Sequence, residues 1–200
     1  MGSHLAPAFA YDQSQLDALK STNSCLDCDL SDADLSYANL SHSTMLGTDF
    51  TAANLSNAVL DYADPSIPPK FDGANLDGAS AIGAQFQNAD FTGAKLENIN
   101  FSKADLSGAN LAGDDLSGDN FDGADLEGAN LIGDNLSGDS FNNVDLKGAQ
   151  LTPDELKTII NDGFTGILPD GTIDVPEPSL FGGILLGVVG LVGLKLSKKP

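Results

Sequence analysis

Set against 9 lysines and no arginine, 29 acidic side chains give this 200-residue chain a formal net charge of −20, which repels nucleic-acid phosphates and anionic lipid surfaces alike. Aromatics make up only 6% of the chain and glycines number 22, a composition that speaks for repeats rather than an interlocked globular core. With two cysteines, Cys25 and Cys28, neither a disulfide-dense scaffold nor a four-cysteine zinc site is available.

Met1 to His4 read as an expression-tag scar, and residues 5–10 end in a small-x-small pattern like the cleavage end of a secretory signal. The segment 1–10 is therefore read as a tag scar plus a trimmed signal-peptide remnant; the alternative is a native terminus without fixed structure. Residues 11–23 are expected to form an N-terminal cap helix. Leu16 and Leu19, three apart within 13–21, would lay one apolar face over the first coil of the repeats that begin at residue 24. Uncovered ends of stacked strands invite pairing with other chains, so a cap is needed there.

From Leu30 the apolar period is five: Leu30, Leu35, Leu40, Met45, Phe50, Leu55 and Leu60, then every fifth residue from Phe71 to Leu151, with Ala81 as a small member. Neither the helical period of 3.6 nor the strand period of 2 fits. Two residues before most of these centres stands Ala, as at Ala33, Ala74, Ala104 and Ala124, with Asp or Asn between. Each unit thus has a large and a small inward residue and three outward ones, so the chain must turn once per unit. Residues 104–121 match residues 124–141 at 14 of 18 positions, and Phe101, Phe121 and Phe141 are each 20 apart. Four units therefore close one coil, and stacking the coils about 4.8 Å apart lays each Leu or Phe over its equivalent.

The repeat, spanning 24–151, breaks at 61–70, where three prolines occur and Leu60 to Phe71 is 11 residues instead of 10. Proline lacks the N–H that a ladder needs, so a loop is expected to bulge from one corner here. It is either a tolerated insertion or a recognition loop. After Leu151, Thr152, Pro153 and Glu155 have the spacing of an N-cap, first helical proline and capping box. Leu156, Ile159 and Ile160 supply one apolar face, and 164–173 reads as a hairpin turning at Pro169, Asp170 and Gly171. Together 152–174 are the expected C-terminal cap.

The recurring Ala-(Asp/Asn)-Leu, as in Ala33-Asp34-Leu35, Ala109-Asn110-Leu111 and Ala129-Asn130-Leu131, resembles the pentapeptide-repeat family. The resemblance implies an all-β solenoid, a right-handed quadrilateral β-helix. The entry Ser24-Cys25-Leu26-Asp27-Cys28-Asp29-Leu30, with 164–172 after the repeats, looks like cyanobacterial members. The tail 175–200 resembles a second family. Val175, Pro176, Glu177 and Pro178 precede an apolar stretch at 180–194 and then Lys195, Lys198 and Lys199, the layout of the PEP-CTERM sorting signal. As a helix, 180–196 would span about 25 Å against a hydrocarbon core of about 30 Å, with the lysines kept on the cytoplasmic side. The resemblance implies an exosortase-type processing enzyme as partner and an exported protein, in the cell envelope or outside, that meets the membrane only through its tail before processing.

Residues that carry chemistry are few. No nucleophile-base pair or phosphate loop is present, His42 is expected to face solvent, and Asp119, Asp122 and Asp125 lack the spacing of a calcium loop. Cys25 and Cys28 stand at inward-type positions, either as small apolar fillers or as a disulfide pinning the first coil. At the small inward site, where Ala is usual, the chain has Asp114, Asp119, Asp134 and Asp139. Stacked one coil apart, like charges would lie about 5 Å from each other in a low-dielectric interior. Raised pKa values, a trapped cation, or hydrogen bonds to backbone N–H groups and water would relieve them. The sequence thus reads as a non-enzymatic, cofactor-free, exported acidic scaffold whose partners are a basic protein or divalent cations and not nucleic acid. The alternative is a cytoplasmic DNA mimic that binds DNA gyrase, as some pentapeptide-repeat proteins do.

Overall fold

The computed structural model describes residues 11–64 and 67–174. The segment 1–10 and the tail 175–200, with Val175, Pro176, Glu177 and Pro178, lie outside the described residues, as do positions 65 and 66 of the insertion.

Helix α1, Gln13–Thr22, opens on Asp12, whose side chain accepts from Ser14 N, and closes on Asn23 in the left-handed region. Such caps satisfy backbone groups that a short helix leaves unpaired at its ends. Leu16 and Leu19 are its buried residues, where the sequence places the apolar face. Gln15 Oε1 accepts from Asp29 N at 2.7 Å and Asn23 Nδ2 donates to Ser41 O at 2.7 Å, so the helix is tied to the first coil by polar contacts at both ends.

Each five-residue unit is a corner and a short side. At the corner the N–H of the small inward residue closes a turn on the preceding centre, as in Ala33 N to Leu30 O at 3.1 Å and Ala109 N to Leu106 O at 2.9 Å. The third residue of that turn is left-handed, with φ 59° at Asp32 and 69° at Gly108. Glycine adopts that backbone without a Cβ penalty, which accounts for its recurrence there in the second run. The sides join coil to coil through parallel bridges 20 residues apart, such as Asp105 with Asp125 and Asn110 with Asn130. With a turn in every five residues, a side is too short for a regular strand, and most pairing is by these single bridges.

Where Asp or Asn precedes a centre, it ties its own corner. Asp105 Oδ1 accepts from Ser107 N at 3.1 Å and Ser107 Oγ at 2.7 Å, and the same turn recurs at Asp34 and Asp90. Asn130 Nδ2 also reaches Asn110 Oδ1 at 3.1 Å across one coil step. Asx side chains mimic a backbone turn in this way, so the middle residue of the repeat has a structural role that its outward position alone does not convey.

Inside, the centres stack into files. Phe50, Phe71 and Phe91 lie parallel with centroids 5.4 and 5.0 Å apart, and Phe101, Phe121 and Phe141 form a second file, on another side, at 5.5 and 5.0 Å. Leu116 is fully buried and Ser117 is half-buried at a corner. Leu116→Ala is expected to cost about 2–5 kcal/mol through the cavity it leaves, and Ser117→Ala no more than about 0.5 kcal/mol. Urea unfolding of both variants checks this; equal losses would contradict the inward phase.

The insertion lengthens one coil, as the spacing of 11 residues from Leu60 to Phe71 requires. Bridges join Asn39 to Val59, 20 residues on; Asp49 to Lys70, Asn54 to Asn75 and Val59 to Ser80, each 21 on; and Lys70 to Asp90, again 20 on. The coil therefore gains a single residue. Tyr62 N donates to Ile82 O at 2.8 Å and Asp64 N to Ser43 O at 2.9 Å, while Ala63 and Pro69 are buried at small inward sites. At such a site the N–H normally closes only the local turn, as Ala74 N does on Phe71 O. Proline is tolerated at 69 because the coil-to-coil ladder loses no donor there.

At the far end, strand β1, Asn142–Asp145, pairs in parallel with β2, Thr165–Ile167, which pairs antiparallel with β3, Ile173–Asp174. Between β1 and β2, helix α2, Pro153–Asn161, starts on a capping box formed by Thr152 and Glu155. Its Ile159 is buried. Helix and hairpin together cover the last coil.

Candidate functional site

The interior acids form two files. Asp114, Asp119, Asp134 and Asp139 are 5, 1, 8 and 5% exposed, so all four carboxyls point inward as the repeat phase requires. The relief they find is only partial. In an ordinary corner the left-handed residue's N–H donates to a carbonyl on the next coil, as Gly108 N does to Glu127 O at 2.8 Å and Gly123 N to Asn142 O at 2.7 Å. At Gly113 the N–H turns inward to Asp134 Oδ1 at 2.7 Å, and Asp114 N reaches the same oxygen at 3.1 Å. Asp119 Oδ1 accepts from Ile99 N at 2.9 Å, and Asp139 Oδ1 from Asp119 N at 3.0 Å. Asp119, Asp134 and Asp139 thus each hang on the coil before them by one oxygen, and Asp114 takes a backbone hydrogen bond from Gly93 in the same way.

The other oxygen, Oδ2, of all four is buried without a hydrogen-bond partner. An ionised carboxylate in that setting is costly, and burial disfavours the charged form. Burial, with the neighbouring Asp134 carboxylate, pushes Asp114 up to about 7. Burial and the Asp139 charge push Asp119 up to about 10. Asp134 and Asp139 rise to about 7, chiefly by burial, against the lowering effect of their backbone N–H donors. Outside the coil the same residue type behaves in the opposite sense. Asp34, Asp90 and Asp115 are lowered first by the hydroxyls of Ser36, Thr92 and Ser117, with backbone N–H groups adding to it.

The first file extends past the acids that the repeat phase identifies. Glu155 Oε1 accepts from Gly133 N at 2.7 Å, at the corner one coil beyond Gly113. Its other oxygen caps α2 on Thr152 N at 2.5 Å. The order along the file is therefore Asp114, Asp134, Glu155, each on a glycine corner. Read as a sequence, Glu155 shows only its capping-box spacing, which hides this second role. Ser43 Oγ and Thr48 Oγ1, also at small inward sites, are further buried groups without a partner.

Cys25 and Cys28 are joined by a disulfide with their Cα atoms 5.7 Å apart, both buried. His42 is exposed and stacks on Tyr62 at 5.2 Å, away from the interior acids in sequence and in coil. Among the described residues, no group of three or more His, Cys, Asp or Glu side chains is placed to hold a metal ion. No helix among them is long and apolar enough to cross a membrane.

Comparison with known proteins fits the coil. The family description "Pentapeptide repeats" matches residues 28–64, 70–98, 84–118 and 120–152, in 8 copies. The chain belongs to the pentapeptide-repeat family. That membership carries the right-handed β-helix that the Ala-(Asp/Asn)-Leu pattern implies. Similar solved structures include HetL, a pentapeptide-repeat protein involved in heterocyst differentiation regulation from the cyanobacterium Nostoc sp. Strain PCC 7120. It is 27% identical over 76% of this chain and 81% of its own, with a TM-score of 0.29. Rfr23 from the cyanobacterium Cyanothece 51142 is 26% identical over 70% of this chain and 95% of its own, with a TM-score of 0.30. QnrB1, a plasmid-mediated fluoroquinolone resistance protein, is 21% identical over 72% and 90%, with a TM-score of 0.31. Among curated proteins nothing matches. At these TM-scores the assignment rests on the repeats themselves.

Proposed function

We propose that this pentapeptide-repeat protein is an exported, non-enzymatic acidic rod that serves as a spacer or interaction scaffold in the cell envelope or outside it. The observation that carries the reading is the C-terminal order of Val175, Pro176, Glu177 and Pro178, an apolar stretch, and Lys195, Lys198 and Lys199. It fits a sorting signal cut by an exosortase-type enzyme. The buried Cys25–Cys28 disulfide supports the same compartment, since disulfides persist where the surroundings are oxidising. A stack of coils tied by Asx turns is stiff along its axis, and its surface carboxylates would attract a basic protein or divalent cations.

Cleavage after Pro178 would leave 6 lysines against all 29 acids, a net charge of −23. Intact-mass measurement of the protein recovered from its native host, with fractionation by a probe raised against the tail, is expected to show a shortened chain outside the inner membrane. An uncut chain in the cytoplasm would overturn the reading. In that case the DNA-mimic alternative, which shares the charge but has no use for the tail, would be tested by inhibition of gyrase supercoiling.

A further inference from the structure

The two acid files end at the C-terminal cap, and the charged groups that act most on them are themselves acidic. Asp114 feels Asp134 and Asp90; Asp119 feels Asp139 and Asp115; Asp134 feels Glu155; Asp139 feels Asp115 and Asp162. Glu155 belongs to the first turn of α2, and Asp162 is its C-cap. The cap is thus docked through the Glu155 carboxylate onto a coil whose interior already holds carboxyls stacked in pairs, each with an orphaned oxygen.

We propose that these files make the C-terminal end of the rod a proton-locked cap: the inward carboxyls are protonated while the cap is seated, and their ionisation loosens the coils over 93–139 and the seat of α2 before the rest of the solenoid. The N-terminal coils have no acid at the inward sites. There the small positions are Cys28, Ala33, Ala38, Ala53, Ala58 and Ala63 with Ser43 and Thr48, so the two ends of one rod respond differently to pH.

The sign follows from linkage. A carboxyl whose folded pKa stands above its unfolded value binds more protons in the folded state, so its contribution to stability is fully present below the unfolded value of about 4. It is lost as pH rises through the folded value, here from about 7 for three of the acids towards about 10 for Asp119. Alkaline solution therefore weakens this end, the reverse of ordinary acid denaturation.

Carboxyl-carbon NMR of the intact protein with labelled aspartate provides the first test, since it needs no substitution. Four aspartates are expected to titrate above about pH 6, well apart from Asp34, Asp90 and Asp115, which are lowered; titration of every aspartate below about 5 would overturn the proposal. Hydrogen exchange, corrected for the intrinsic rate, provides the second. Between pH 5 and 9 the amides of Ile99, Gly113, Asp114 and Asp119 are expected to lose protection about tenfold or more, while those of Leu35, Asn54 and Leu55 do not. An equal loss in both sets would mean that the rod responds as a whole and would overturn it.

Two double variants complete the test. Asp119→Ala with Asp139→Ala restores the usual small residue, and Asp114→Asn with Asp134→Asn keeps the acceptor oxygen without the charge. Both are expected to flatten the fall of melting temperature with pH. Variants that fold and retain the parent's slope would overturn the proposal.

Discussion

Phe71→Ala is expected to be among the most damaging single substitutions in the rod, at about 3–5 kcal/mol. Phe71 is fully buried and touches aromatic neighbours on three sides: Phe50 and Phe91 lie parallel to it at 5.4 and 5.0 Å, and Phe86 meets it edge-on at 5.5 Å. Removing the ring takes away its transfer free energy and the contacts of all three partners, and adjacent coils cannot close the gap because their spacing is fixed by the backbone bridges. The position is also the first centre after the one-residue insertion, so the cavity would open where the coil already departs from its period. Phe71→Leu provides the control. Leu is the commonest occupant of the centre, and its loss should stay near about 1–1.5 kcal/mol. Urea midpoints for the two variants would separate the cases; equal midpoints would show that the aromatic file is not what stabilises this coil.

How much of this was legible in the sequence depends on whether an interaction is periodic. The five-residue phase is written in every unit, so the inward set, the four-sided coil and the buried positions of Asp114, Asp119, Asp134 and Asp139 follow from counting. The caps are local signals too: Thr152 with Glu155 reads as a capping box because both partners lie within one turn. What a linear reading misses is contact between coils. That Gly113 N and Ile99 N bond carboxyls 21 and 20 residues on needs the direction of a side chain at a corner, which periodicity does not give. The insertion was legible in part. The count of 11 from Leu60 to Phe71 already shows one extra residue, but that Ala63 and Pro69 still fill small inward sites on either side of it shows only in the folded coil. At Cys25 and Cys28 the sequence left filler and disulfide level, since a pair three apart at inward positions suits either, and the structure joins them.

Gly166→Ala is expected to unseat the C-terminal cap, at a cost on the order of 3–5 kcal/mol from backbone strain and overlap together. Gly166 has φ 144°, a conformation that residues with a Cβ rarely adopt, and it pairs with Val144 across the parallel register of β1 and β2. A methyl group there would overlap the Val144 carbonyl oxygen and stand 2.7 Å from Val144 N and 2.9 Å from its carbonyl carbon. Those atoms are backbone and have no rotamer by which to yield, so β2 must move. Its departure would release Thr165 N from Phe141 O, Leu146 N from Ile167 O at 2.8 Å and Asn143 N from Thr165 Oγ1 at 2.8 Å. The last coil would then expose an unpaired edge, which invites association between chains. Gly171→Ala is the contrasting substitution. Its φ is 81°, but nothing lies within 4 Å of the added carbon, so only the left-handed penalty of about 1–2 kcal/mol remains. Hydrogen exchange is the measurement that distinguishes them. In Gly166→Ala the amides of Asn143, Leu146 and Gly148 should lose protection and those of Leu35 and Leu55 should keep it, whereas Gly171→Ala should leave both sets close to the parent. If the two variants exchange alike, the cap is not wedged at Gly166 and the parallel seating of β2 on the last coil is not what closes the rod.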